Sequence, residues 1–240
     1  MKPLAIDLFC GLGGWTEGLL AEGYNVVGFD IERHDYGDGK RYPAQLVLQD
    51  IRTIHGKQFK GASLIVASPP CQEYSYMAMP WSRAKAIAAE YRSGKRDVKK
   101  LTALFDDCFR IQREAVEAAG HHIPMVVENV RGANPWVGKA PYHYGSFYLW
   151  GDVPALMPMT KSIKVPGFRF DGLGGSFQTA SQARIKAENG IKQGGDWFNA
   201  DQPSIARMCG SKSNARKAAS AMIAKIPLPL AQHIARVFKP

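Results

Sequence analysis

The 240-residue sequence predicts an α/β fold, with a mainly parallel sheet and helices on both faces. Three observations lead there. Short apolar runs of strand length recur through the first half, at residues 4–9, 25–30, 62–67, 125–127 and 146–150. Helix-forming segments alternate with them. A glycine turn joins the first strand to the first helix, the usual opening of a βα unit.

Taken in order, residues 4–9 form the first strand and residues 11–14 the glycine turn. Residues 16–22 read as a helix closed by Gly23, and NVVGFD (25–30) as the second strand. ASLIVA (62–67) is a buried strand that stops against Pro69 and Pro70. Over residues 101–119, Leu101, Leu104, Phe105, Cys108, Phe109 and Val116 recur at helical spacing, with Gln112 as a polar exception and Gly120 as the stop. Residues 125–127 and 146–150 complete the strands. After Trp150 the pattern decays into a stretch rich in Gly, Ser, Gln, Lys and Pro. A helical pattern returns over residues 215–238, broken at Pro227 and Pro229. This divides the chain into residues 1–150, a small irregular region over 151–214, and a C-terminal helical segment over 215–240 that returns to the first part.

With 45% hydrophobic and 22% charged residues, the chain has the composition of a folded domain rather than a disordered one. No apolar run approaches the roughly 20 residues that span a bilayer. The opening MKPLAIDLFCGLGG is too short an apolar run, interrupted by Asp7, for a signal peptide, so a cytoplasmic protein is expected. The cysteines Cys10, Cys71, Cys108 and Cys209 lack metal-ligand spacing and read as reduced thiols, with no metal site. The net charge of +10 is uneven: −2 over residues 1–75, +3 over 76–120 and +9 over 121–240. Such a distribution suits a small ligand held early and a polyanion held late, and equally a merely soluble surface.

Two clusters carry chemistry. FCGLGG (residues 9–14), between strand and helix, lets the backbone pass close to a ligand and offers free helix N–H groups. By itself the turn fits NAD, FAD or S-adenosylmethionine (AdoMet). Asp30 ends the next strand, where a carboxylate accepts hydrogen bonds from ribose hydroxyls, and Asp50 in LQDIR is placed to read an adenine amino group. The second cluster is IVASPPCQEYS, with Cys71 just past a buried strand and stiffened by two prolines. A thiol there needs local activation before it attacks anything. In VVENV, Glu128 and Asn129 follow an apolar strand at the same sheet edge, where a carboxyl can protonate a ring nitrogen of an extruded base.

DLFCGLGG, Asp30, Asp50, PPCQ and ENV, in that order, resemble the successive motifs of the DNA (cytosine-5) methyltransferases, and KKLTALFDDCFRI resembles the helix after that family's catalytic loop. The resemblance covers residues 4–130 and a weaker C-terminal piece. The short chain and IAKIPLPLAQHIARVF look most like small phage or prophage members. The resemblance implies a Rossmann-like AdoMet-dependent methyltransferase fold with a small irregular target-recognition region. It implies methyl transfer from AdoMet to carbon 5 of a flipped cytosine in double-stranded DNA, by a monomer in a bacterial or phage-infected cell. Cys71 would attack carbon 6, Glu128 would serve ring nitrogen 3, and Gln72 and Asn129 would shape the nucleophile loop. Asp7, Phe9, Gly11, Leu12, Gly13 and Gly14 would line the cofactor site, with Asp30 and Ile31 at the ribose, Asp50 and Ile51 at the adenine, and Pro70 beside them. Residues 73–100 then read as a mobile, DNA-facing loop. Seven cations (Arg83, Lys85, Arg92, Lys95, Arg96, Lys99, Lys100) alternate there with Tyr74, Tyr76 and Trp81; a solvated basic helix is the plainer alternative.

The sequence departs from the family pattern twice. The family's Gln-x-Arg-x-Arg, which contacts the target base, has two competitors: QARIK (182–186), which puts Arg184 in that role, and YGSFYLWG (144–151), which resembles the following strand but lacks the arginines. Near the C-terminus, aligning on Pro227, Leu230 and Ala231 sets Ala224 where the family has asparagine, with Lys225 beside it. A cation there would pair with the methionine carboxylate, or with the extra carboxylate of a carboxylated AdoMet, which opens carboxymethyl transfer as an alternative product. An RNA cytosine methyltransferase, a non-catalytic DNA-binding homologue and a NAD-dependent oxidoreductase are the other readings. The last accounts for the glycine turn but not for PCQ and ENV.

Overall fold

Seven strands form one sheet in the order β3-β2-β1-β4-β5-β7-β6 in the computed structural model, which describes residues 2–35, 41–72, 74, 81–157, 217, 221 and 224–240. β1 (Leu4–Leu8), β2 (Asn25–Asp30), β3 (Gln45–Leu48), β4 (Leu64–Ala67) and β5 (Met125–Asn129) run parallel. β7 (Phe147–Gly151) lies antiparallel to β5, and β6 (Tyr142–Tyr144) antiparallel to β7, which closes the far edge with a hairpin. The strands of the sheet centre are apolar because both their faces are covered: all four residues of LIVA in β4 are fully buried.

The helices lie on both faces. Alternation sends Ala5, Val26, Leu64, Val66 and Val126 to one side, where α1 (Gly14–Ala21) brings Trp15 and Leu19, and α5 (Leu228–Val237) brings Leu230, Ala231 and Ile234. α1 and α5 approach closely at Gly18, where any Cβ would run into Ala231. Ile6, Leu8, Phe29, Ile65, Met125 and Val127 point the other way, into a second core. α3 (Val98–Ala119) covers that side with Leu101, Phe105, Cys108, Ile111 and Ala115. Asp97 caps α3 by accepting from the Lys99 N–H, and Gly120 ends it in the left-handed region, φ 73°. Between the faces, the chain winds from β1 outward to β2 and β3, then returns past β1 to β4. The reversal opens a crevice beyond the carboxyl ends of β1 and β4, the place where open α/β sheets hold ligands.

Several expectations change. Residues 73–100 are not one loop: α2 (Trp81–Arg92) is a helix and α3 begins at Val98. The helical alternative therefore holds over Trp81–Arg92; Ala88 and Tyr91 are buried on α2, and the Tyr91 ring meets Trp136 edge-on at 5.5 Å. Trp136 belongs to the short α4 (Asn134–Val137), just after β5. The helical pattern is broken at residues 225–227 as expected, and the prolines also start the next helix, since Pro227 caps α5 and Pro229 sits in its first turn, where no N–H is needed. β3 and β6 were not foreseen, being four and three residues long and without a fully buried position. By contact, the chain forms two compact units, one of residues 1–33, 42–158 and 226–240 and the other of residues 34–41 and 159–225. In the second, Lys217, Ala221 and Ala224 are helical. Among the described residues, no helix is long and apolar enough to cross a membrane.

Candidate active site

The glycine turn is built from unusual backbone. Phe9 takes φ 57°, a conformation that costs a side-chain-bearing residue energy and is held only where surroundings enforce it. Gly13, at φ 77°, caps α1 without a side-chain hydrogen bond, so the first-turn N–H groups of that helix have no capping side chain. The side chain of Asp30 holds the turn: Oδ2 accepts from the Gly11 N–H at 2.9 Å, and Oδ1 accepts from the Ile31 N–H at 2.8 Å. The carboxylate that ends β2 therefore fixes the loop that ends β1. Beside it, Ile31 and Leu48 are 68% and 51% exposed, two large apolar side chains at the carboxyl ends of β2 and β3. Leu12 is half-buried and Gly14 buried in the same turn.

Asp50 follows β3 and caps a one-turn helix, Ile51–Thr53, by accepting from the Arg52 N–H at 3.0 Å. The Arg52 guanidinium also grips it, and that hydrogen bond holds the carboxyl below its ordinary range. Asp50 is thus an ionised acceptor near the exposed Leu48. Its neighbour Ile51, also expected at the adenine, is 2% exposed and packs into the core with Phe29 and Phe59. Asp7, also read as a cofactor residue, lies beneath the turn and is fully buried. Its Oδ2 accepts from the Thr16 hydroxyl at 2.6 Å and from Tyr42 at 3.5 Å, while Oδ1 has no hydrogen-bond partner. Burial pushes its pKa up to about 7. Tyr42 also hydrogen-bonds Thr16 and lies against Gly13 and Gly28. No sequence signal pointed to Tyr42, whose role arises from a crossover that folds back over β2.

The other half of the site lies past β4 and β5. Cys71 is half-buried, four residues after Ala67, with buried Pro69 and exposed Pro70 between. Burial pushes its thiol pKa up, and the charge of Glu128 adds to the rise. At neutral pH the group is a thiol. Glu128 and Asn129 are the last two residues of β5, within the strand rather than after it, because β7 continues the pairing: Glu128 opposes Leu149 and Asn129 opposes Tyr148. Glu128 is 8% exposed, and burial pushes its carboxyl up to about 8, against an opposing hydrogen bond from Ser68. Ser68 also accepts from the Trp15 indole at 3.0 Å, which ties α1 of the cofactor half to the nucleophile strand. Asn129 donates from Nδ2 to the Pro69 carbonyl at 2.9 Å, and its Oδ1 accepts from the Val130 N–H. Asn129 thereby holds the proline turn that carries Cys71. Gln72 is exposed next to it.

The structure thus brings the two halves to one sheet edge: Phe9–Gly14 with Asp30, Ile31 and Asp50 around β1 to β3, and Pro70, Cys71, Gln72, Glu128 and Asn129 around β4 and β5. Ser68, Thr16 and Trp15 belong to the same network and were missed, since a serine within ASPPC and a threonine at a helix start carry no distinctive spacing. Arg184, Tyr76 and the recognition segment fall outside the described residues, as does Cys209. Lys225 is half-buried and precedes the buried Ile226. Among the described residues there is no cluster of three or more metal-ligating side chains.

A seven-stranded sheet of this order, with its switch-point crevice between a glycine turn and a proline-held cysteine, is the Rossmann-like fold of an AdoMet-class methyltransferase. Residues 4–132 match the model of the C-5 cytosine-specific DNA methylases, and the chain belongs to that family. It is similar to the type II methylase M.HgiDII of Herpetosiphon aurantiacus, 31% identical in an alignment of 85 positions that covers 31% of this chain and 23% of that protein. Among solved structures it is similar to a prophage-encoded protein of E. coli named as a DNA modification methyltransferase, at 22% identity and TM-score 0.36, over 55% of this chain and 33% of that one. It is also similar to the Dnmt2 methyltransferase of S. pombe, at 16% identity and TM-score 0.34, over 56% and 36% of the two chains. The match spans about a quarter of the curated relative and a third of these structures.

Proposed function

We propose that this protein methylates carbon 5 of a flipped cytosine in double-stranded DNA, with AdoMet as methyl donor and Cys71 as covalent nucleophile. The observation that carries this reading is the pairing of Cys71 with Glu128, a carboxyl whose burial lifts it to about 8 and keeps it largely protonated at neutral pH. A protonated carboxyl at that point donates a proton to ring nitrogen 3 as Cys71, its own proton released to solvent, adds as thiolate to carbon 6. The addition turns an unreactive aromatic carbon 5 into an enamine carbon. With Glu128 neutral, its charge no longer holds the thiol up, so protonation of the one group eases ionisation of the other.

The residues around β1 to β3 fit AdoMet. Ile31 and Leu48 offer two exposed apolar surfaces for an adenine ring, Asp30 sets a carboxylate held by three backbone N–H groups where ribose hydroxyls would lie, and Asp50 is an ionised acceptor for the adenine amino group. The glycine turn passes its backbone beside the methionine portion. When bound, AdoMet supplies an electrophilic methyl group to carbon 5. Loss of the carbon-5 proton to a base then allows Cys71 to be eliminated, restoring the aromatic ring and the free thiol. Gln72 and Asn129 shape the loop throughout, Asn129 through its bond to the Pro69 carbonyl. The cations of α2 and the start of α3 lie exposed and suit phosphate contacts.

The test expresses wild type and Cys71→Ala in cells that lack cytosine modification and reads their DNA nucleosides by mass spectrometry. 5-Methylcytosine is expected with the wild type alone. Its absence from cells that hold folded wild-type protein would overturn the proposal, and a peak heavier by a carboxyl group would change the product to carboxymethylcytosine.

A further inference from the structure

We propose that Tyr74 is a positioning residue, whose hydroxyl latches the Cys71 turn onto the first turn of α3 and so sets how far the thiol is presented. The inference rests on the reading of Cys71 as nucleophile. Tyr74 closes the turn that Cys71 opens: its N–H donates to the Cys71 carbonyl at 3.0 Å. Its ring is 3% exposed and its hydroxyl donates to the Leu101 carbonyl at 2.7 Å, a contact across 27 residues of chain. Leu101 lies in the first turn of α3, next to the exposed Lys99 and Lys100.

A hollow of about 240 Å³ beside the turn is lined by Pro69, Pro70, Gln72 and Tyr74 and, from α3, by Leu101 and Phe105. The buried Tyr74 ring packs in one apolar cluster with Leu101 and Phe105, and its hydroxyl bond adds the direction that apolar contact lacks. On the other side the turn is held by Asn129, through the Pro69 carbonyl. Cys71 sits between these two hydrogen bonds. Losing the Asn129 bond would alter a residue already assigned to the active site, but removing the Tyr74 hydroxyl leaves every reacting group in place.

Tyr74→Phe tests this, since it keeps the ring and deletes only the latch. Two quantities are read: the rate at which a small alkylating reagent labels each thiol, resolved by peptide mass spectrometry, and kcat and KM for methylation of DNA. Freed from the helix, the half-buried Cys71 is expected to label about fivefold faster, with Cys10 and Cys108 unchanged, the scale of one lost neutral hydrogen bond. Over the same change kcat falls about fivefold while KM for DNA holds. An unchanged Cys71 labelling rate overturns the proposal, as does equal acceleration at Cys10, Cys71 and Cys108, which would mean general loosening of the fold. Faster labelling at Cys71 alone, in a protein whose wild type makes no 5-methylcytosine, upholds the latch and overturns the methyltransferase reaction instead.

Discussion

Asp7 and Glu128 make an instructive pair. Each is the fourth residue of a five-residue parallel strand, β1 and β5, and alternation sends both to the face covered by α1. Each has hydroxyl neighbours, Thr16 and Tyr42 for Asp7 and Ser68 for Glu128. Burial raises both, to about 7 and about 8. Yet they do different things. Asp7 is sealed beneath the glycine turn by Thr16 and Tyr42, with no exposure at all, so its strained ionisation acts on the fold. Glu128 keeps 8% exposure beside a thiol, so the same desolvation becomes a usable proton. Burial sets the pKa, and what borders the carboxyl decides whether the shift is structural or chemical.

The largest expected effect separates them by activity. Glu128→Gln is expected to lower kcat by about 10² to 10⁴, the range for a lost general acid, with the fold intact. Asp7→Asn keeps kcat within about tenfold, because Asn still accepts from Thr16 and touches no reacting atom. Single-turnover methylation of a defined duplex reads both, and equal losses in the two variants would erase the distinction.

pH sharpens the comparison next. Both folded pKa values lie above the unfolded values of 3.8 and 4.5, so the stability each group contributes is fully present at low pH. For Asp7 it is lost as pH rises through about 7, and for Glu128 as it rises through about 8. The urea midpoint of the wild type should therefore fall between about pH 4 and 8 and level off above. Asp7→Asn should remove the share of that fall that ends near pH 7 and Glu128→Gln the share that continues to about 8, each restoring on the order of 2–4 kcal/mol at the alkaline end. Parallel curves for wild type and Asp7→Asn would show that Asp7 titrates normally.

The smallest effect concerns how α2 is held. Its Tyr91 meets Trp136 edge-on, with the Arg92 guanidinium 6.0 Å from the Trp136 ring centre. A double-mutant cycle with Tyr91→Leu and Trp136→Leu should return a coupling of about 0.5–1.5 kcal/mol in thermal unfolding. A coupling near zero would mean that α2 is retained by Ala88 and the neighbouring backbone instead.

Much of this molecule was legible in one dimension. The alternation of apolar strands and helices, the glycine turn, and the order DLFCGLGG, Asp30, Asp50, PPCQ, ENV were enough for the fold class and the family. That is because strand burial and sharp backbone turns demand residue types that show in the string: LIVA for a strand covered on both sides, glycine where φ is positive. The C-terminal helix was legible too, although its prolines mark its start and not its end.

Tertiary structure alone decided what the polar groups face. That Asp30 braces the turn through Gly11, that Ser68 stands between Trp15 and Glu128, and that Tyr42 seals Asp7 all depend on strands brought side by side from distant parts of the chain. For residues 73–100 the sequence left a loop and a helix both open, and packing decided for α2, where Ala88 and Tyr91 are buried and Tyr91 meets Trp136. Residue type says that a carboxyl or a thiol is present, whereas its pKa and reach are set by desolvation and by neighbours across the sheet, which only the folded chain supplies.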